Sequence, residues 1–280
     1  MEFTGDGHAD LVLLVDWREP ILYPNLGSEG MGNPMPLSGA RGWWSCLEVA
    51  DLDMDGDKDL VLGNWGANSK FQPSPERPVS MAVKDFDGNR KSDIVMSWYA
   101  PLDTVSAPFA VRSDITKQMP HLLKDNVQHD TYAQKTYQTL FSADERAGAL
   151  EYEANFLQSA ILWNDGSIPM TLTPLPWQAQ LAYVYGIAIG DVNCDGNQDI
   201  WLGGNFYGLV PQSGRMGSSK GALLMGEGNR SFRYVSPEEA GISVDGQVRD
   251  AHFIMAKDGS FTLLVARNDA PVVAFKSKIQ

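Results

Sequence analysis

The chain has little of several residue types on which whole classes of protein depend. Its 280 residues include only two cysteines and four histidines. Cys46 and Cys194 cannot supply the cysteine clusters of a zinc site or a disulfide framework. We expect two unpaired, buried thiols, with a single bridge between them as the alternative. The four histidines lack the spacing of a metalloprotease motif.

Positive charge is also scarce, and long apolar runs are absent. The 22 lysines and arginines are outnumbered by 35 acids, which gives a formal net charge of −13. Nucleic-acid binding depends on clustered lysine and arginine and is therefore not expected. No apolar run approaches the ~20 residues of a membrane-spanning helix. Met1 is followed by Glu2 and Phe3 instead of a basic and then an apolar stretch, so we expect no signal peptide in this chain.

An acidic repeat is the most informative feature that is present. Residues 51–60 and 191–200 both follow the pattern D-x-[DN]-x-D-G-x-x-D and end in an aliphatic residue. A third copy at 85–94 has its glycine displaced toward the N-terminus, and a degenerate fourth copy lies at 2–11. Self-similarity of this kind is typical of repeat architectures.

Short apolar runs flank each acidic segment and predict β-strands. They are bounded by Asp, Gly and Asn, as strands commonly are. Each repeat is therefore predicted to be a hairpin whose turn is the acidic loop. Further hairpins are predicted around 164–166 and 226–229, where Asn-Gly or Asp-Gly pairs and neighbouring glycines favour tight turns. The fold class that follows is all-β.

One stretch departs from the strand pattern. Residues 110–155 are predicted to be mainly helical, with Ser113 and Asp130 as candidate N-caps and a capping box beginning at Ser142. We interpret 110–155 as a helical insertion within a single domain of residues 1–280. Because the insertion has few strand signals, we expect it to be peripheral to the core.

The spacing of the acids suits a calcium ion. Ca²⁺ takes about 6–8 oxygen ligands, and carboxylates at positions 1, 3, 5 and 9 of a loop, with the carbonyl of position 7, can surround one ion. Mg²⁺ is a poorer fit because it requires a rigid octahedron and retains its waters. The candidate ligands are Glu2, Thr4, Asp6, His8 and Asp10; Asp51, Asp53, Asp55, Asp57 and Asp59; Asp85, Asp87, Asn89, Lys91 and Asp93; and Asp191, Asn193, Asp195, Asn197 and Asp199.

An EF-hand or a set of plain turns would fit the acidic loops less well. An EF-hand requires a glutamate at position 12, where this chain has Leu62 and Leu202. The acids could simply form turns, since Asp and Asn favour them. The four carboxylates at the ligand positions of 51–59 would then repel one another, so we expect this loop to bind Ca²⁺ most tightly. Four bound ions would change the formal charge from −13 to −5, so the acidity need not mark a surface for a basic partner.

The loops resemble the FG-GAP or VCBS repeat family, which includes the integrin α-chain propeller. The resemblance extends over nearly the whole chain and includes Gly63-Asn64-Trp65-Gly66 and Gly204-Asn205-Phe206 after two of the predicted strands. Further segments are similar to a bacterial subgroup of large exported members: Gly42-Trp43-Trp44, Arg77-Pro78-Val79, Lys117-Gln118-Met119-Pro120, Leu140-Phe141-Ser142 and Pro174-Leu175-Pro176.

The resemblance implies a β-propeller with loop-bound Ca²⁺ and an extracytoplasmic location, whether secreted, periplasmic or at the cell surface. Propellers have about 4–8 blades, and those of this family usually have about seven. The chain contains about five blades' worth of sequence and begins inside an acidic loop. We therefore expect either a single propeller domain or the C-terminal portion of a larger one.

The leading functional interpretation is a binding or scaffolding module for a protein or carbohydrate ligand, and not an enzyme. The alternative is a polysaccharide lyase-like enzyme on a calcium-binding propeller. A G-x-S-x-G segment at 217–221 is followed by Asp245 and His252 in hydrolase order, but a strand-like run follows it where the nucleophile elbow needs a helix. We expect most aromatic residues to pack in the core. Trp43-Trp44 is the best candidate for an exposed pair, because adjacent strand residues face opposite sides.

Overall fold

The computed structural model describes residues 3–101, 103–210 and 213–277. The strands are β1 (Leu11–Leu13), β2 (Ile21–Tyr23), β3 (Met35–Pro36), β4 (Cys46–Ala50), β5 (Asp59–Gly63), β6 (Val79–Lys84), β7 (Asp93–Tyr99), β8 (Ser106–Pro108), β9 (Leu150–Ala154), β10 (Ala160–Trp163), β11 (Thr171–Pro174), β12 (Val184–Gly190), β13 (Asp199–Gly204), β14 (Ala222–Gly226), β15 (Phe232–Val235), β16 (Gln247–Met255), β17 (Phe261–Asn268) and β18 (Ala270–Lys276).

Helices are few and short. The α-helices are α1 (Arg112–Gln118), α2 (His129–Ala133), α3 (Tyr137–Leu140), α4 (Ala143–Arg146) and α5 (Pro237–Ala240), and 3₁₀ turns cover Gly27–Glu29, Pro120–Leu123 and Trp177–Gln180. Within the described parts of the chain, none of these helices has the length and apolar character that would let it cross a membrane.

The strands form small antiparallel sheets of three or four strands. We name them the first sheet (β1-β2-β3), the second (β11-β10-β5-β4), the third (β12-β13-β14-β15), the fourth (β16-β17-β18) and the inserted sheet (β8-β7-β6-β9). Each of the repeats at 51–60, 85–94 and 191–200 is a hairpin whose turn is the acidic loop, as predicted. The predicted all-β, propeller-like fold is confirmed.

The chain divides into two compact units. The main unit comprises Met1–Ser69 and Leu157–Gln280, and the inserted unit comprises Lys70–Phe156. The insertion separates β5 from β10, which are nevertheless antiparallel neighbours in the second sheet. The acidic loops at 51–59 and 85–93, which are close in sequence, therefore belong to different sheets.

In the main unit, successive sheets pack against each other through buried apolar residues. β12 of the third sheet contacts β4 on one side and β16 on the other. Trp163 and Leu202 belong to the core between the second and third sheets. Trp201 and Leu263 belong to the core between the third and fourth. All four side chains are at most 1% exposed, so the sheets are joined by continuous apolar packing.

In the inserted unit, the helices form part of the core, and the expectation of a peripheral insertion is wrong. Ile115, Met119 and Phe141 are almost fully buried. They cluster with Val95 of β7 and with Phe86 in the loop that precedes this strand. The helical stretch is also shorter than 110–155, because β9 lies inside that range and pairs with β6.

Local helix signals predicted some caps and missed others. Ser142 accepts a hydrogen bond from the Glu145 amide and completes the predicted capping box of α4. The N-caps of α1 and α2 are Val111 and Gln128, instead of Ser113 and Asp130. In those two cases the apolar residues that must face the sheet determine where the helix begins.

Two expectations about exposure are also wrong. Trp43 and Trp44 are 7% and 4% exposed, because Trp43 packs edge-on against Trp65 and the Trp44 indole donates to the Arg18 carbonyl. The cysteines are unpaired as predicted, but Cys194 is exposed, because it lies within an acidic loop.

Candidate metal centre

Three acidic loops are positioned by the ends of strand ladders. The registers end at the pairs Ala50↔Asp59, Lys84↔Asp93 and Gly190↔Asp199. In each hairpin, loop position 9 is therefore the first paired residue of the second strand, and position 1 directly follows the last paired residue of the first strand. The fourth loop, at 2–10, directly precedes β1.

All four loops share one backbone conformation, with left-handed residues at positions 4 and 6. In the loop at 51–59 these are Met54 (φ 62°) and Gly56 (φ 101°). The displaced glycine of the third copy lies at position 4, and Arg90 takes position 6 with φ 69°. The corresponding residues elsewhere are Gly5 and Gly7, Gly88, and Cys194 and Gly196. The degenerate first copy thus has the same conformation as the others.

The alternating conformation brings side chains at odd positions together. Carboxylate oxygens of Asp51, Asp53 and Asp59 lie within 4.8 Å of one another. The same holds for the equivalent positions of the third copy, Asp85, Asp87 and Asp93. In the loop at 191–199, Asn193 lies at position 3 and offers an amide oxygen where the other two loops have an aspartate.

Backbone amides fix the orientation of these side chains. The N–H of position 6 donates to the carboxylate of position 1, from Gly56 to Asp51 at 3.1 Å and from Gly196 to Asp191 at 2.9 Å. The N–H of position 7 donates to position 5, as from Asp57 to Asp55 at 2.9 Å. These local hydrogen bonds hold the acids in place despite their mutual repulsion.

The donor set of the loop at 51–59 fits a hard cation. Every donor is an oxygen, the ligand type that Ca²⁺ and Mg²⁺ prefer. Oδ1 of Asp51 is buried and has no hydrogen-bond partner, which is costly for a carboxylate oxygen. A cation held by Asp51, Asp53 and Asp59 would satisfy that oxygen and neutralise the clustered charge.

The position-9 aspartates have a second role that the sequence did not reveal. Asp59 is 1% exposed, and its two oxygens accept from the Leu52 amide (3.0 Å) and the Asn164 amide (2.9 Å). Asp199 likewise accepts from the amides of Val192 and Gly226, both at 2.9 Å. Each carboxylate thus joins its own loop to the third strand of the same sheet.

Burial affects the ionisation of these two aspartates. It raises the pKa of Asp59 to about 6, and repulsion by Asp53 and Asp55 adds to the effect. Burial likewise raises the pKa of Asp199 to about 6. A bound cation would favour the ionised form of both carboxylates and so lower their pKa values again.

The equivalent aspartates of the other loops make related contacts. Asp10 accepts from the amides of Phe3 (2.7 Å) and Asn25 (2.8 Å). Asp93 accepts from the Phe86 amide at 2.9 Å and from the Gln118 side chain at 3.1 Å. The contact from position 9 back to the amide of position 2 therefore recurs in all four loops.

The first loop differs from the others at position 3. Asp6 accepts from the His8 amide at 2.8 Å, and Asp10 is 7% exposed. Thr4 offers a hydroxyl where the other loops have a carboxylate or amide. Glu2, the candidate for position 1, lies outside the described residues.

The Gly-Asn pairs that follow β5 and β13 join neighbouring sheets. The Asn64 carbonyl accepts from the Val184 amide of the third sheet at 3.1 Å. The Asn205 side chain donates to the carbonyls of Ser219 and Gly246, both at 2.8 Å. In the sequence these pairs stood out only through a family resemblance, and the structure gives them a packing role.

Small surface cavities are present among the described residues of each unit. The main unit has one of about 320 Å³ beside the first two acidic loops, lined in part by Thr4, Asp57 and Asn164. The inserted unit has one of about 150 Å³ that includes Arg77 and Tyr99.

Comparison with known protein families gives a match to part of the chain. Residues 3–62 match the model of the FG-GAP-like repeat, a segment that contains the first two acidic loops and the first sheet. No curated protein and no solved structure gave a significant match. Residues 3–62 of the chain are therefore similar to an FG-GAP-like repeat.

Proposed function

We propose that this chain is a calcium-stabilised, propeller-like module that binds a protein or carbohydrate ligand outside the cytoplasm. FG-GAP repeats are typically extracellular and often belong to binding modules, which supports the location and the class of function. The observation that carries the calcium proposal is the convergence of three carboxylates at 51–59 around a buried oxygen that has no other partner.

The loop geometry favours calcium over magnesium. Loop positions 1, 3, 5 and 9, with the carbonyl of position 7, offer more oxygens than magnesium's six-fold shell needs once it retains its usual waters. The loops are also exposed at their tips, where Met54 and Asp55 face solvent, so an ion can reach the site without opening of the core. Bound calcium would link the two strands of each hairpin and would remove the repulsion among the acids.

Calorimetric titration of the metal-stripped protein with Ca²⁺ tests the proposal. We expect three or four sites, and one fewer in each of Asp51→Asn, Asp85→Asn and Asp191→Asn. Asp245→Asn is the matched control, since Asp245 is an exposed acid outside the loops that pairs with Lys220. No heat above that of dilution in the wild-type protein would contradict calcium binding.

Ligand binding is tested separately from metal binding. The full chain is screened against immobilised glycans and extracellular proteins in calcium and in chelator. Since calcium is proposed to order the loops, retention of a ligand is expected to fall in chelator. Equal retention in both conditions would mean that the binding surface does not depend on the loops.

The lyase-like alternative gains no support from the aromatic residues near the start of β12. Arg249 lies over the ring of Tyr185 at 4.5 Å, but its guanidinium donates to Gln247 and to the carbonyls of Asn205 and Val248. Burial raises the pKa of Tyr185, so that less of this side chain is ionised and able to accept a proton at neutral pH. The cluster is explained by packing between the third and fourth sheets.

A further inference from the structure

One arginine of the main unit reaches into the acidic loop of a neighbouring sheet. Arg230 lies in the turn between β14 and β15 of the third sheet. Its Nε donates to Oδ2 of Asp53 at 2.8 Å, and its Nη2 lies 2.7 Å from the same oxygen. Asp53 is position 3 of the loop at 51–59 in the second sheet, and its side chain is only 10% exposed.

The same guanidinium holds a second acid of the second sheet. Nη1 of Arg230 donates to Oδ2 of Asp165 at 3.3 Å, and Nη2 donates to Oδ1 of Asp165. Asp165 lies in the turn between β10 and β11. The guanidinium also lies 4.8 Å from the centre of the Trp163 ring, where a cation–π contact adds to the attraction. Arg230 thus joins two turns of one sheet from the next sheet.

The backbone at Arg230 indicates that its side chain is held in place by these contacts. Asn229 and Arg230 both have left-handed conformations, with φ 49° and 61°. Glycine or asparagine is favoured at such positions, and an arginine there carries some strain. Three side-chain contacts with the second sheet offset that strain.

Among the described residues, no such ion pair is found for the loops at 85–93 and 191–199. The ion pairs of the described chain include Asp53 but not Asp85, Asp87, Asp191 or Asp195. The loop at 51–59 has the most carboxylates, and Arg230 brings a positive charge to it from outside the loop. Its net attraction for a cation is therefore lower than its carboxylate count indicates.

We propose that Arg230 is a built-in counter-ion of the loop at 51–59, which holds that loop in place when no cation is bound and lowers its affinity for calcium. The inference rests on the proposed calcium binding. Asp53 can give Oδ1 to a cation while Oδ2 stays with Arg230, but the two positive charges then share one carboxylate and repel. Calcium at this loop consequently binds more weakly than at 191–199, which reverses the ranking expected from charge alone.

Calcium titrations of variants in which the other loops are blocked test the proposal. In the background Asp6→Asn, Asp85→Asn, Asp191→Asn, only the loop at 51–59 remains intact. Arg230→Gln is expected to bind Ca²⁺ about tenfold more tightly, which is the effect of removing one charge a few ångströms away in a water-screened site. Asp165→Asn is expected to weaken binding, because the guanidinium then loses its other counter-ion.

The two variants separate this proposal from a purely structural role. Both remove contacts between the sheets, so a structural role would weaken calcium binding in both. Opposite changes support the counter-ion role, and a loss or no change of affinity in Arg230→Gln would overturn it. Arg233→Gln is the matched control, since Arg233 is 53% exposed on β15 and pairs with Glu227 and Glu239, which lie outside the loops. Its affinity is expected to match that of the background.

Melting in chelator covers the case in which Arg230→Gln is too unstable to titrate. The variant should lose more stability in chelator than in saturating calcium, because the cation replaces the missing counter-ion. Arg230→Lys keeps the charge and is expected to retain the weak affinity of the wild type. If Arg230→Gln binds calcium and the wild type does not, the inference stands and calcium binding by the native loop fails. If neither binds, both fail.

Discussion

At the scale of single residues, aspartates of one repeat have different roles according to position. Asp199 at position 9 is fully buried and accepts hydrogen bonds from one backbone amide of its own loop and from another at the end of β14. Asp195 at position 5 is exposed and accepts from Asn193 and Asn197 of its own loop. We therefore expect position 9 to contribute to stability with or without a cation, whereas position 5 contacts only its own loop in the hydrogen bonds described.

We expect Asp199→Ala to lower the free energy of unfolding by about 2–4 kcal/mol even in excess chelator, because it leaves two buried amides without an acceptor. Urea denaturation in chelator measures the change. Asp195→Ala is the control and should have a much smaller effect under those conditions. Equal effects of the two variants would contradict a metal-independent role for position 9.

Gly204, at the end of β13, is required for close approach of two backbones. A Cβ at this position would overlap the carbonyl oxygen of Tyr183, which accepts a hydrogen bond from the Asn205 amide. We expect Gly204→Ala to destabilise the protein by at least about 2 kcal/mol, since the overlap is with backbone that cannot rotate away.

A thermal melt compares that variant with Gly39→Ala, where an added methyl group would meet open space. The control should melt within a few degrees of the wild type. A wild-type melt for Gly204→Ala would show that the backbone there adjusts at little cost.

At the scale of elements, the helices of the inserted unit form the layer that packs against the apolar face of its sheet. Its sheet cannot bury an apolar face alone, and α1 to α3, the 3₁₀ turn at Pro120–Leu123 and the residues next to them supply the side chains that cover it. Phe141 stacks on Phe86 with ring centroids 4.3 Å apart, and Met119 is fully buried. The helical stretch is therefore an integral part of the core of the inserted unit.

We expect Phe141→Ala to destabilise the inserted unit by about 3–5 kcal/mol, the usual cost of removing a buried aromatic ring. Limited proteolysis should show earlier cleavage between residues 70 and 156 than elsewhere. Leu123→Ala, at a side chain that is 48% exposed, is the control and should change stability by less than about 1 kcal/mol. Resistance of Phe141→Ala to both tests would mean that the helices are dispensable.

At the scale of the whole molecule, the acidity is concentrated where cations are proposed to bind. The formal charge is −13, and much of it lies in loops that each close a hairpin or precede one. A cation that binds only the folded state adds about 2.7 kcal/mol per site at a hundredfold excess over Kd. Three or four such sites would be comparable with the ~5–15 kcal/mol stability of a typical domain.

We expect chelation to lower the melting temperature by more than about 10 °C, and Ca²⁺ to restore it better than Mg²⁺. The melts are compared at fixed ionic strength, so that screening of the net charge is not mistaken for coordination. The combined variant Asp51→Asn, Asp85→Asn, Asp191→Asn should lose most of the calcium response. Identical wild-type melts in chelator and in millimolar calcium would contradict calcium stabilisation.

The sequence by itself determined the local structure of this protein. The hairpins at 46–63 and 222–235 were predicted almost to the residue, because strand periodicity and turn residues act over short distances. Of the positions that the acidic pattern indicated, 1, 3 and 9 converge at 51–59 and 85–93, since nine residues with a fixed backbone conformation suffice to bring them together.

Only the tertiary structure decided which residues from distant parts of the chain these hairpins and loops contact. The contact between Arg230 and Asp53 spans 177 positions of sequence, and no local pattern marks it. The burial of Trp43 and Trp44, the core role of the helices and the amide partners of Asp59 also depend on distant elements. Periodicity and spacing report what a segment favours by itself, whereas burial and charge pairing are properties of the surroundings that the fold supplies.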